Sequence, residues 1–233
     1  MKLALLGDIH GNHLALKAVL DAASSIGVEQ LLITGDLVGY YYAPLKVLEL
    51  LQPWKKYIVR GNHEDMLDRA RTDLAFLSQV DLRYGTGIRL AIEQLDVQQL
   101  DELCSLPHPL ELEVDKYKIL LCHGTPWDID QYVYPDAKPD VLELCAKQDF
   151  DLVVMGHTHY PMEHIVGRTS VINPGSVGQP RNRKSGAHWA LFDTEGGSLE
   201  FRQEQYDTSE LILECQQRNP NLPYLSEVHT RNE

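Results

Sequence analysis

Short apolar runs and polar clusters take turns along the chain, and the apolar spacing predicts most of the elements. Residues 2–6 form an apolar run that stops at Gly7. Runs at 30–34 and 55–59 stop near Gly35 and Gly61 in the same way. Each has strand length and is closed by a residue that punctuates the chain. Between the first two, Leu14, Ala15, Ala18, Val19, Ala22 and Ile26 recur at helical spacing. Asn12 is placed to cap that helix and Gly27 to end it. Residues 44–51 read as a second helix, opened by Pro44 and stopped before Pro53. A β-α-β-α-β start predicts parallel pairing with right-handed crossovers.

The alternation then breaks. Residues 64–106 read as helices, for example 86–95 and 97–104, ending at Leu106-Pro107. We read this stretch as a helical excursion over one face within the same domain. Strands resume at 111–122 as a hairpin around Asp115-Lys116. A helix over 139–148 and a strand over 151–155 follow. Two further hairpins are expected, 163–166 with 170–173 around Gly167-Arg168, and 187–193 with 198–206 around Gly196-Gly197. The pattern predicts two packed sheets with helices outside and polar residues gathered at strand C-terminal ends. One domain over 1–206 is expected. The polar stretch 207–233, with one short helix candidate, is expected to be a peripheral tail.

Composition narrows the class. The chain has 233 residues, 43% of them hydrophobic and 24% charged, an ordinary soluble balance. No run approaches the ~20 apolar residues of a spanning helix, and the N-terminal run is too short for a signal peptide. A formal net charge of −13 disfavours general nucleic-acid binding and anionic membranes. Cys104, Cys122, Cys145 and Cys215 form no CxxC pair, so free thiols in a reducing cytoplasm are expected.

The chemistry sits in six polar clusters at the ends of apolar runs: Gly7-Asp8-Ile9-His10-Gly11-Asn12, Gly35-Asp36-Leu37-Val38-Gly39, Arg60-Gly61-Asn62-His63-Glu64, Cys122-His123-Gly124-Thr125-Pro126, Gly156-His157-Thr158-His159, and Asn173-Pro174-Gly175-Ser176-Val177-Gly178-Gln179-Pro180-Arg181. Five of them supply Asp, His or Asn, all metal donors. Asp8 and His10 alternate around Ile9, which lets both turn to one ion while Ile9 packs inward. Asp36 leaves the neighbouring strand at the same level, where a carboxylate can bridge two ions through its two oxygens. A lone Gly-Asp is commonly just a turn, and a lone Asp-Ile-His an ordinary loop. Five such clusters, each after a strand, are a different matter.

The order and spacing of these clusters resemble the calcineurin-like metallophosphoesterase superfamily, especially its small bacterial and archaeal members with a late Asn-Pro-Gly-Ser-Val segment. The resemblance covers roughly the first two hundred residues. It implies an α/β fold, a four-layer α/β/β/α sandwich of two mixed sheets flanked by helices. It also implies two divalent transition-metal ions, drawn from Mn, Fe, Zn, Ni and Co. One ion would take Asp8, His10, Asp36 and His159, and the other Asp36, Asn62, His123 and His157. Two such ions carry four positive charges against the two of Asp8 and Asp36, a surplus that suits a phosphate. The implied reaction is phosphoester hydrolysis by attack of a metal-bound hydroxide, a diester before a monoester.

His63 matches the position that acts on the leaving group, and Arg181 is the candidate for a phosphate oxygen; a solvated surface arginine is its competing reading. Many protein phosphatases of the superfamily pair that histidine with an aspartate three residues after the bridging one. Gly39 stands there instead, which counts against a protein phosphatase. The expected substrate is a phosphorylated small molecule or a nucleotide. One branch keeps the fold as a protein-binding scaffold; the full donor set and His63 argue against that here. Tyr40, Tyr41 and Tyr42, and likewise Trp127, Tyr132 and Tyr134, fit either nucleobase stacking or packing. His13, His108, His164, His188 and His229 match no donor position.

Overall fold

Leu3 and Leu5 point to one side of the first strand, β1 (Lys2–Leu6), and Ala4 and Leu6 to the other. This alternation, the period-2 geometry of a strand, sets out the layers. The computed structural model describes residues 1–146 and 149–231. After β1 come α1 (His13–Ser25), β2 (Gln30–Ile33), α2 (Pro44–Leu51) and β3 (Lys56–Ile58). The excursion holds α3 (Asn62–Ala70), α4 (Leu74–Tyr84), α5 (Gly87–Gln94) and α6 (Val97–Cys104). Then follow β4 (Leu110–Val114), β5 (Tyr117–Leu121), α7 (Pro139–Cys145), β6 (Leu152–Val154), β7 (Met162–Val166), β8 (Thr169–Asn173), β9 (Ala187–Asp193), β10 (Ser198–Glu204), α8 (Ser209–Arg218) and α9 (Tyr224–Glu227). Residues 147–148 of the helix expected over 139–148, and 232–233 of the tail, lie outside the described residues.

The strands make two five-stranded mixed sheets, ordered β10-β9-β1-β2-β3 and β4-β5-β6-β8-β7. In the first, β1 runs parallel to β2 with Leu5 opposite Leu32, and antiparallel to β9 with Leu5 opposite Ala190. In the second, β5, β6 and β8 are parallel, while β4 and β7 return antiparallel at the edges. Leu3, Leu5, Leu32 and Phe192 of one sheet pack on Ile119, Leu121, Val154 and Ile172 of the other. The outer face of the first sheet, through Ala4, Leu6, Leu31 and Ile33, meets α1, α2 and the excursion helices. The outer face of the second, through Leu120, Val153 and Val171, meets Leu142 and Cys145 of α7. The four layers are therefore helix, sheet, sheet, helix, as the resemblance implied. Parallel strands buried on both faces explain why their sequences read as unbroken apolar runs.

Asn12 caps α1 by accepting from the Ala15 N–H at 3.1 Å, and Gly27 ends it with φ +75°. Asn62 and His63 precede the expected helical start at 64 but are already helical. They form the first turn of α3, whose N-cap is Gly61. Glu64 closes that cap by accepting from the Gly61 N–H at 2.8 Å. The stretch beyond residue 206, expected to be peripheral, is bound into the fold. Leu211, Cys215 and Leu225 are buried against Tyr40, Tyr41 and Tyr42. The buried hydroxyls need partners: Tyr41 donates to the Leu225 carbonyl at 3.1 Å and Tyr42 to the Asn219 side-chain oxygen at 2.9 Å.

Candidate metal centre

The donor side chains leave the strand ends on backbone that few residues adopt. Asp8, His10, Asp36, His157 and His159 all have φ between 51° and 67°. Left-handed backbone costs a non-glycine residue free energy, and such residues cluster at functional sites. Hydrogen bonds hold the conformation. The His10 and Gly11 N–H groups donate to the carbonyls of Asp36 and Leu37, both at 2.8 Å, which locks the loop after β1 to the loop after β2. Buried Glu64 accepts from the N–H groups of Asp36 at 2.9 Å, Leu37 at 2.8 Å and Val38 at 3.3 Å. It thus ties the Asp36 loop to the first turn of α3. Sequence reasoning assigned Glu64 no role; its place at the third position of a helix, after the glycine cap, was the available signal.

Seven predicted donors converge. Asp8, His10 and His159 form one cluster and Asp36, His123 and His157 another, with donor atoms inside each cluster within 4.8 Å of one another. Nε2 of His10 and Nε2 of His159 are 3.1 Å apart, as are Nε2 of His123 and Nδ1 of His157. Asn62 Oδ1 lies 3.0 Å from His123 Nε2. Ligands about 2.1 Å from a common ion stand about 3.0–3.4 Å apart in octahedral or tetrahedral geometry, so these spacings fit a metal. Asp36 lies between the clusters. Its Oδ2 is 3.6 Å from His10 Nε2 and 3.4 Å from His123 Nε2, while its Oδ1 accepts from the His63 N–H at 2.9 Å. The expectation that both oxygens are shared out between the clusters therefore changes: one oxygen faces both.

The outer nitrogens are equally specific. His10 Nδ1 bonds the Val38 carbonyl at 3.1 Å, His123 Nδ1 that of Thr34 at 2.7 Å, His157 Nε2 that of Asp130 at 3.0 Å, and His159 Nδ1 that of Gln179 at 2.6 Å. A carbonyl only accepts, so each outer nitrogen carries a proton, and whenever the ring is neutral its lone pair is turned inward. Burial holds His10 well below the ordinary histidine range and, with Arg181, lowers His159. Their inner nitrogens thus face each other with no proton between them, an arrangement that a cation resolves.

The same demand for positive charge appears elsewhere in the centre. Burial acts to raise the Asp36 carboxyl, but His123 and His63 outweigh it and hold Asp36 well below the carboxylate range. Burial acts to lower His123, and Asp36 reverses this and lifts it to about 9. Burial takes His157 down to about 4.

His63 joins the centre on other terms. It lies within the same 4.8 Å reach of His10 and Asp36, yet its Nδ1 is buried without a partner. Gly39, at φ +90°, abuts that nitrogen so closely that a methyl group built on it would overlap the ring. A carboxylate at position 39 has no room. Nothing else among the described residues pairs with Nδ1. Burial pushes the ring down to about 4. Arg181 is no solvated surface residue. Its Nη2 donates to the Tyr40 hydroxyl and to Gln179 Oε1, each at 2.9 Å. With Tyr40, Tyr84 and Tyr132 it lines a cavity beside Asp36, Asn62, His63, His157 and His159. The cavity volume is about 20 Å³, space for one water. Tyr84, on the excursion helix α4, had no sequence signal for this place.

Residues 1–197 match the model of the calcineurin-like phosphoesterase superfamily domain. The chain is 25% identical over 205 residues to phosphodiesterase YfcE of Escherichia coli, covering 84% of this chain and 89% of that protein. A metallophosphoesterase structure from Sphaerobacter thermophilus superposes with a TM-score of 0.76 at 26% identity, over 98% of both chains. A hypothetical protein from Pyrococcus horikoshii shares the fold at a TM-score of 0.85 and 22% identity, over 100% of this chain and 99% of that one.

Proposed function

Since this chain belongs to the calcineurin-like phosphoesterase superfamily, we propose that it is a hydrolase using two divalent transition-metal ions to cleave a phosphodiester, with a phosphomonoester as second choice. The observation that carries this reading is the set of four imidazoles bonded outward to carbonyls and turned inward around Asp8 and Asp36. One cluster, Asp8, His10, Asp36 and His159, would hold one ion. Asp36, Asn62, His123 and His157 would hold the other. When bound, the ions supply charge to the phosphoryl oxygens and acidify a coordinated water.

The chain's own groups do the rest. Arg181, its guanidinium oriented by Tyr40 and Gln179, holds a phosphate oxygen. His63, in its protonated form, assists departure of the leaving oxygen. Tyr40, Tyr84 and Tyr132 restrict water around the reacting group. The diester preference is supported by the name of the Escherichia coli relative. The test is metal analysis of purified protein together with hydrolysis of bis(p-nitrophenyl) phosphate and p-nitrophenyl phosphate after chelation. Mn²⁺ or Ni²⁺ should restore turnover. Mg²⁺, which prefers oxygen ligands and keeps its waters, should restore little. Protein that binds no transition metal, or that loads fully and cleaves neither ester, rejects the proposal.

A further inference from the structure

The loop after β5 carries aromatic rings that neither the core nor the donor set explains. Tyr132 lines the cavity. Its ring lies 3.9 Å from the His157 ring, centroid to centroid, and Tyr134 runs parallel to it within 8° at 5.7 Å. Tyr160 meets Tyr134 edge-on at 5.8 Å. Tyr132 and Tyr134 stay 49% and 42% exposed, so they form a surface and not a packed interior.

The loop is held in shape. The Thr125 N–H donates to the Asp128 carbonyl at 2.8 Å, and Trp127 Nε1 donates to Gln131 Oε1 at 2.8 Å. His157 donates to the Asp130 carbonyl of the same loop, which fixes the rings relative to the centre. The inner cavity is small, about 20 Å³, so the bulk of any substrate must rest on the rim. A flat, half-exposed pair of rings on the rim of that cavity matches a planar base attached to a phosphate through a short sugar. The net charge of −13 disfavours a long polyanion and favours a single nucleoside unit.

We propose that Tyr132, supported by Tyr134, is a specificity-determining residue that stacks a nucleobase, and that the substrates are phosphoesters of nucleosides. The placement of the phosphate rests on the phosphoesterase reading above; the stacking itself does not need turnover. The experiment is calorimetric binding of adenosine 5′-monophosphate and ribose 5-phosphate to the full-length Mn²⁺-loaded protein. The second ligand carries an anomeric hydroxyl in place of the base. Stacking of one base should favour the nucleotide by about 5- to 150-fold. Tyr132→Leu should erase that preference, and Tyr132→Phe, which keeps the ring over His157, should retain it. Equal affinities in the unaltered protein, or a preference that survives in Tyr132→Leu, overturns the inference. If Tyr132→Leu does not fold, Tyr134→Leu, which removes the supporting ring, takes its place and should weaken the preference. Bis(p-nitrophenyl) phosphate hydrolysis by the same preparation separates the two readings. Turnover without a base preference removes only the stacking role, and a base preference without turnover removes only the catalytic one.

Discussion

The backbone N–H of His63 donates to Asp36 Oδ1 at 2.9 Å, and this bond leaves Oδ2 as the oxygen that faces both His10 and His123. The first turn of α3 thereby orients the carboxylate proposed to serve both ions.

Asp36→Asn keeps the shape and removes a charge from both proposed ion sites. Metal content should fall, and turnover should drop by more than the about 10–100-fold typical of losing an outer-shell partner. Elemental analysis and kinetics on one preparation check this. A variant that keeps two ions and normal turnover would show that Asp36 is not shared.

His63→Ala should spare the metals, because Nδ1 is buried without a partner and none of the proposed ligand sets includes this ring. An alkoxide leaving group needs a proton, whereas nitrophenolate needs little help. A positioned acid is worth about 10²–10⁴-fold. The loss should therefore be much larger on a ribose or alkyl phosphoester than on a nitrophenyl ester. Equal losses with metals retained would assign His63 to positioning the phosphate.

Arg181 holds two polar partners while lining the cavity, so its guanidinium is oriented before substrate arrives. Arg181→Ala should raise KM if the contact is equal in ground and transition states, and lower kcat if it strengthens in the transition state. Tyr40→Phe, which removes one orienting oxygen and leaves the ring, should shift the same parameter less. Unchanged kinetics in Arg181→Ala would exclude a phosphate contact.

Much of the fold is legible because its signals are local. The apolar runs at β1, β2 and β3 and the caps of α1 lie within a few residues of what they specify. The donors are legible because they sit at strand ends, and strand ends of two packed sheets meet. Contacts between distant segments are not legible in this way. Tyr41 meets Leu225 across 184 residues, and Tyr40 meets Arg181 across 141; no periodicity encodes either. The start of α3 at Asn62 lies two residues before the expected 64, because its N-cap, Gly61, has no side chain to announce it. The single facing oxygen of Asp36 depends on a backbone bond that residue types alone do not specify.

The C-terminal stretch should report its attachment through pH. His229 Nε2 and the Tyr41 hydroxyl are 2.8 Å apart, and burial lowers this histidine from 6.5 to about 4. Between those values the unfolded chain binds a proton that the folded chain refuses. Stability from the neutral ring is complete above about pH 6.5 and declines as pH falls toward 4. The full effect is at most about 3 kcal/mol. His229→Gln should flatten this part of the profile, as read from urea unfolding midpoints between about pH 4.5 and 7.5. Parallel profiles for the two proteins would show that His229 titrates freely.

Asp8, His10, Asp36 and Asn62 stand at the ends of strands in one sheet, and His123, His157 and His159 at the ends of strands in the other. Each proposed ion would therefore rivet two layers that otherwise meet through apolar side chains and a few hydrogen bonds, such as His123 Nδ1 to the Thr34 carbonyl. Neither half of the chain owns a complete coordination sphere. A nascent polypeptide that ends before β5 and β6 offers three of the four proposed donors to one ion and two of the four to the other. Complete loading of the proposed centre would require docked sheets, and an ion that binds only the docked form strengthens the seam in proportion to the logarithm of its free concentration.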